Sequence, residues 1–399
     1  MSQQRTDVRE LVVALTLATL AQTLIAMAVY APAVLAPAAQ AEIGLTATAI
    51  GIFTALVFVA AAYAAPLGGA RVVRSGPVRV SQQCLLWAAG GIVLFVSAVP
   101  AVIAVGALAI GLGYGPATPA SSAMLSKRTP DRLRNVIMSI RQSGVTLGGA
   151  IAGLMLPALS VAYGWRTAAL VVTALCLLCA ALLQGVRERY DVERSGVREA
   201  GHSSHLYLLR MVFKQAELRQ GAFTSFTYAG AQMCFGSFLV VFLTERAGMS
   251  LVDAGAAYSA AMLSGIAGRM IWGGLADYFD NARLVLGMLG VTMTLCAFAI
   301  TLVSSQWPYS AVVVLCVACG VSAFGWNGIY IAEVARITSG ENVALATGAV
   351  ITFNFLGIVI APVLFWLTVL VSGSYTPAFV LIGVVTLAGS LPYFRKASA

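Results

Sequence analysis

Arg141 and Arg269 fall deep inside apolar runs of the chain, where a charged side chain is costly. A guanidinium buried in hydrocarbon costs about 2.5–3.5 kcal/mol on insertion scales, so such a residue calls for a function. The chemistry it suits is anion binding, with the planar fork gripping a carboxylate through two parallel hydrogen bonds. The bland alternative is a side chain that snorkels to the nearest headgroups. Hydroxyl and amide groups would complete a carboxylate site, and Gln22, Tyr114, Gln232, Asn327, Tyr330 and Asn354 lie near the middle of apolar runs. Hydrogen bonds between helices are the competing use for each. Glu333 is the semi-buried acid that would carry a proton, unless it only pairs with Arg336 at i+3.

Other chemistries lack their residues. Both histidines, His202 and His205, sit in one polar stretch, and no H-E-x-x-H or G-x-x-x-x-G-K-[ST] string occurs. An enzyme would need a metal set or a nucleophile–base pair, and a primary pump a phosphate loop. The seven cysteines lie in apolar runs, and Cys176/Cys179 and Cys316/Cys319 read as small helix residues without further ligands. Neither a metal nor a cofactor is expected. A cation channel is disfavoured, because two arginines in the path would repel its ions.

The elements that must hold these residues follow from composition. Of 399 residues 60% are hydrophobic and 10% charged, too few charges for a water-facing surface. Hydropathy with polar, Gly and Pro breaks predicts an all-α membrane protein of twelve transmembrane helices. They fall at 11–37, 46–70, 78–99, 101–126, 135–161, 165–186, 221–246, 252–277, 282–304, 308–334, 343–371 and 375–394. With both termini cytoplasmic, twenty of the 24 basic residues fall in inner segments and two, Arg166 and Arg246, in outer loops. The net charge of +9 thus sets topology and meets anionic lipid rather than nucleic acid. Arg141 lies seven residues past Arg134 and Arg269 eight residues before Asp277. Both are therefore about 10–12 Å in from the same face.

The chain divides into 1–186, a six-helix bundle; 187–220, a cytoplasmic central loop; and 221–399, a second six-helix bundle. The halves echo each other at an offset of 204 residues: Gly69 to Arg79 matches Gly273 to Arg283, and Gly144 matches Gly348. Such a repeat predicts a pseudo-twofold axis along the membrane normal.

With this repeat the chain resembles the major facilitator superfamily over essentially its whole length. That family's loop signature is G-x-x-x-D-R-x-G-x-R-R. The first copy keeps Gly69, Arg74, Gly76 and Arg79, with Val73 in place of the Asp; the second keeps Gly273, Asp277 and Arg283. The resemblance implies that these residues gate alternating access. The string from Gly268 to Asp277 looks like helix 8 of monocarboxylate porters and oxalate:formate antiporters, whose Arg contacts the anion. Where the latter carry a Lys in helix 11, this chain has Asn354. Gly111–Pro119, Ser139–Gly149 and Gly325–Glu333 resemble bacterial cyanate-transporter-like members. The expectation is a secondary carrier of a small organic anion of carboxylate type, possible as symporter or antiporter with protons. It would work as a monomer in a bacterial inner membrane, with both termini cytoplasmic. A drug or metabolite exporter of the same fold, a proton antiporter, is the alternative.

Overall fold

The computed structural model describes residues 8–126, 128–130, 133–191, 212–337 and 343–394. Among these residues there is helix and no strand. The helices are α1 (Val8–Ile43), α2 (Ile50–Ser75), α3 (Pro77–Val96), α4 (Pro100–Ser126), α5 (Arg134–Tyr163), α6 (Trp165–Gln184) and the short α7 (Arg187–Asp191). They continue with α8 (Ala216–Glu245), α9 (Leu251–Phe279), α10 (Ala282–Ile300), α11 (Tyr309–Ala323), α12 (Asn327–Ile337), α13 (Val343–Ser372) and α14 (Tyr375–Ser390). Eleven stretches among the described residues are long and apolar enough to cross a membrane. The 29-residue α9 spans by length, and Asp253, Ser259, Ser264 and Arg269 make it more polar. The protein is therefore a multi-pass membrane protein. Most of the central loop, 192–211, lies outside the described residues.

The chain folds into two compact units. One comprises Met1–Leu45 and Leu56–Ala200, the other Thr46–Ala55 and Gly201–Ala399. In the second unit, the first turns of α2 are held by a Thr54–Ser237 hydroxyl contact of 3.1 Å. In the first, α1 and α5 pack backbone to backbone. A Cβ on Gly148 would overlap the Thr23 carbonyl and stand 2.9 Å from the Met27 nitrogen. Gly148→Val should therefore force the helices apart and cost about 1–3 kcal/mol, read as a lowered melting temperature of the purified protein.

The expected tenth span, 308–334, is not one helix. It breaks at Phe324–Trp326 into α11 and α12. Gly325 is a poor helix residue. The fully buried Trp326 turns its indole Nε1 to donate to Gln232 Oε1 of α8 at 2.9 Å. The carbonyls at the end of α11 are taken up by α9. Ser264 Oγ donates to Val317 at 3.0 Å, Trp272 Nε1 to Val321 at 3.1 Å and Arg269 Nε to Phe324 at 3.2 Å. Broken helices persist in membrane proteins where side chains take up the backbone groups they release.

Candidate functional site

The first unit holds a buried cation among neutral groups. Two turns into α5, Arg141 retains 6% of its surface. Its Nη1 donates to Ser121 Oγ of α4 at 2.9 Å, and its Nη2 to the neighbouring Gln142 Oε1 at 3.0 Å. Among the described residues no carboxylate pairs with it, and its Nε has no partner. The Ser121 hydroxyl donates to the Ala117 carbonyl at 2.8 Å, so toward Arg141 it offers a lone pair. One turn beyond Arg141, Gly144 lets α1 close in: a Cβ there would stand 2.9 Å from the Thr19 carbonyl and 3.3 Å from Gln22 Cβ. Gln22 is thus placed on the same face. Tyr114 is half-buried on α4, seven residues before Ser121, hence on the same side. Its ring stands edge-on to Phe58 at 5.4 Å. Sequence reasoning missed Ser121 and Gln142 as the groups that hold the fork. Gln142 was legible as its neighbour, but Ser121 is twenty residues away on another helix.

In the second unit three of the expected residues meet at the helix break. Gln232 Oε1 accepts from Trp326 Nε1 and from Asn327 Nδ2, the latter at 3.4 Å. Arg269 is half-buried and anchored on Phe324. Tyr330 is placed otherwise: its hydroxyl donates to the Gly221 carbonyl at 2.8 Å, a bond between helices. Asn354 lies half-buried on α13. Arg141 and Arg269 belong to different units.

At the ends bearing the basic loops, charges are paired. Glu333 is 1% exposed and receives two bonds from Arg336, Nε and Nη2, each 2.8 Å long. Arg283 Nη1 stands 3.8 Å from the same carboxylate and 3.9 Å from Glu217. Its guanidinium also lies 5.7 Å from the centre of the Tyr393 ring. These bonds to the Glu333 carboxylate raise the Arg336 pKa above its ordinary value. The pairing at i+3 was legible; the link to Arg283, fifty residues distant, was not. Gly273 is half-buried on α9, and Asp277 and Arg74 are exposed on α9 and α2. Gly69 lies within α2.

Gly76 adopts φ +89°, a conformation that favours glycine, and a Cβ there would overlap Asp191. Asp191 of α7 accepts from the backbone nitrogens of Val78 at 2.8 Å and Arg79 at 3.2 Å. A carboxylate from 113 residues away thus caps α3, whose own cap position is a glycine. The Arg79 side chain is exposed. Asp191→Ala should cost about 0.5–2 kcal/mol, the usual worth of an N-cap, whereas Asp191→Asn retains an acceptor and should cost less. Thermal melts of the two variants check the order.

Among the described residues no group of His, Cys, Asp or Glu is arranged to hold a metal ion. All seven cysteines are buried and unbridged.

Comparison with known proteins agrees with this architecture. A bacterial homologue of the human lysosomal transporter Spinster superposes with a TM-score of 0.78 over 100% of both chains at 15% identity. A D-xylose–proton symporter superposes with 0.74 over 96% of each at 15% identity. In sequence, the chain is 23% identical to the hexuronate transporter of Bacillus subtilis (strain 168), over 71% of this chain and 70% of that one. It is 25% identical to monocarboxylate transporter 13 of Rattus norvegicus, over 83% of this chain and 77% of that one. The family model described as Major Facilitator Superfamily matches residues 18–362. The chain accordingly belongs to the Major Facilitator Superfamily, a family of membrane transporters and not of enzymes.

Proposed function

We propose that this transporter carries a small organic anion of the carboxylate type by alternating access, with Arg141 as the group that receives the negative charge. The observation that carries this reading is a guanidinium left 6% exposed and bonded, among the described residues, only to a hydroxyl and an amide. A buried charge without a counter-ion is costly, and an anionic substrate would supply one. Gln22 and Tyr114 flank that site. In the second unit Arg269, Gln232 and Asn327 form a cationic, amide-rich group of their own at the break between α11 and α12. The relatives named for hexuronate and for monocarboxylates carry carboxylates, which supports the same class. We assign Glu333 to holding α10 and α12 together through Arg283 and Arg336, rather than to proton transfer. The split of basic residues supports cytoplasmic placement of both termini, and the location we propose is a bacterial inner membrane. Gly69, Arg74, Gly76 and Arg79, with Gly273, Asp277 and Arg283, would then form the gating loops at the cytoplasmic face.

The test is a thermal-shift panel on the purified protein, with small carboxylates, neutral sugars and cationic drugs. Carboxylates should raise the melting temperature by mass action. Stabilisation by cationic drugs alone would favour an exporter instead.

A further inference from the structure

Three buried side-chain atoms, Thr19 Oγ1, Gln22 Oε1 and Arg141 Nε, have no hydrogen-bond partner among the described residues, and they lie on α1 and α5 around the close approach at Gly144. Orphaned polar atoms are costly inside a membrane protein, and a cluster of them marks where a ligand's own polar atoms belong. Their chemistry can be read one by one. Arg141 Nε only donates, so it wants an acceptor. Gln22 Oε1 only accepts, and Gln22 is 2% exposed, so water does not satisfy it. Thr19 Oγ1 can do either. Two of the neighbouring hydroxyls cannot complete Gln22, because their protons are committed to backbone: Thr23 Oγ1 donates to the Thr19 carbonyl at 2.8 Å, and Ser121 Oγ to Ala117 at 2.8 Å. The face therefore offers one unused positive donor and a surplus of lone pairs.

We infer that the transported anion is a hydroxycarboxylate, its carboxylate against Arg141 and a hydroxyl donating to Gln22 Oε1, with Thr19 beside it. A plain carboxylate would fill Arg141 and leave Gln22 orphaned. An amino acid would bring a donor too, but its ammonium would be repelled by the guanidinium that receives its carboxylate. A neutral polyol would satisfy Gln22 and leave the charge unmet. This inference rests on the anion reading above and narrows it.

The experiment measures binding by isothermal titration to the full-length protein in nanodiscs, using pairs matched in carbon number: lactate against propionate and gluconate against hexanoate, with sorbitol as the neutral control. The hydroxy acid of each pair should bind at least about 10-fold more tightly, the worth of one hydrogen bond. In Gln22→Leu that advantage should shrink to threefold or less while the plain acids keep their affinity. Equal affinity within each pair in the unaltered protein overturns the inference and leaves the anion reading standing. The same holds if the advantage persists in Gln22→Leu. Sorbitol binding with no acid binding, or no acid binding at all, overturns both. The pairs in the unaltered protein decide the matter even if Gln22→Leu fails to fold.

Discussion

Arg141→Met should lower carboxylate transport in proteoliposomes by about 100-fold or more, while the protein still folds. A hydrogen bond to a charged group is worth about 1.5–3 kcal/mol, and a buried fork contacting a carboxylate makes more than one. Each 1.4 kcal/mol is about tenfold. Folding should survive for a separate reason. The groups that lose Arg141 are the Ser121 and Gln142 oxygens, both neutral, and Ser121 keeps its bond to Ala117. Methionine fills much of the volume and removes a buried charge, an exchange often neutral or stabilising. Arg141→Lys should recover only part of the activity, because a point charge cannot reproduce the fork. Transport unchanged in Arg141→Met, in a protein of unchanged melting temperature, would remove Arg141 from the substrate path.

Glu333→Gln should have the largest effect on stability, about 3–5 kcal/mol. The carboxylate is almost fully buried, and two arginines converge on it. Without its charge, Arg283, itself 17% exposed, loses its buried counter-ion and keeps, among the described carboxylates, Glu217 at 3.9 Å. Arg336→Gln should cost less, about 1–3 kcal/mol, because the buried Glu333 loses two bonds but keeps Arg283 at 3.8 Å. Thermal unfolding in detergent gives both numbers. Equal losses in the two variants would show that Glu333 is not the centre of the cluster.

The helices were legible because membrane burial writes itself in the sequence: a span needs an apolar run, and the run shows. The repeat and the resemblance then named the architecture before any coordinate. The two arginines were legible for the opposite reason, as charges where none should be. What they touch was not. Arg269 was read as an anion contact or a snorkelling side chain, and its Nε also holds the Phe324 carbonyl released at a helix break. That break was itself hidden, because Phe324-Gly325-Trp326 is as apolar as the turns around it. Ser121 against Arg141, Arg283 against Glu333 and Asp191 over the start of α3 each join residues at least twenty apart. Such pairs depend on how helices rotate and pack, and hydropathy carries no record of that. Tyr330 shows the converse: a mid-span hydroxyl suited to a carboxylate site donates to a backbone carbonyl, the competing use open to it from the start.

The central claim is that charge recognition occurs at Arg141. Its most direct test compares a carboxylate with its own amide, gluconate with gluconamide, by titration calorimetry on the unaltered protein and on Arg141→Met. The pair has nearly the same shape and the same hydroxyls, and differs in charge. The account predicts that the acid binds about 100-fold more tightly than the amide to the unaltered protein, and that the difference vanishes in the variant. Acid and amide binding alike to the unaltered protein, or a preference that survives the loss of Arg141, would contradict it.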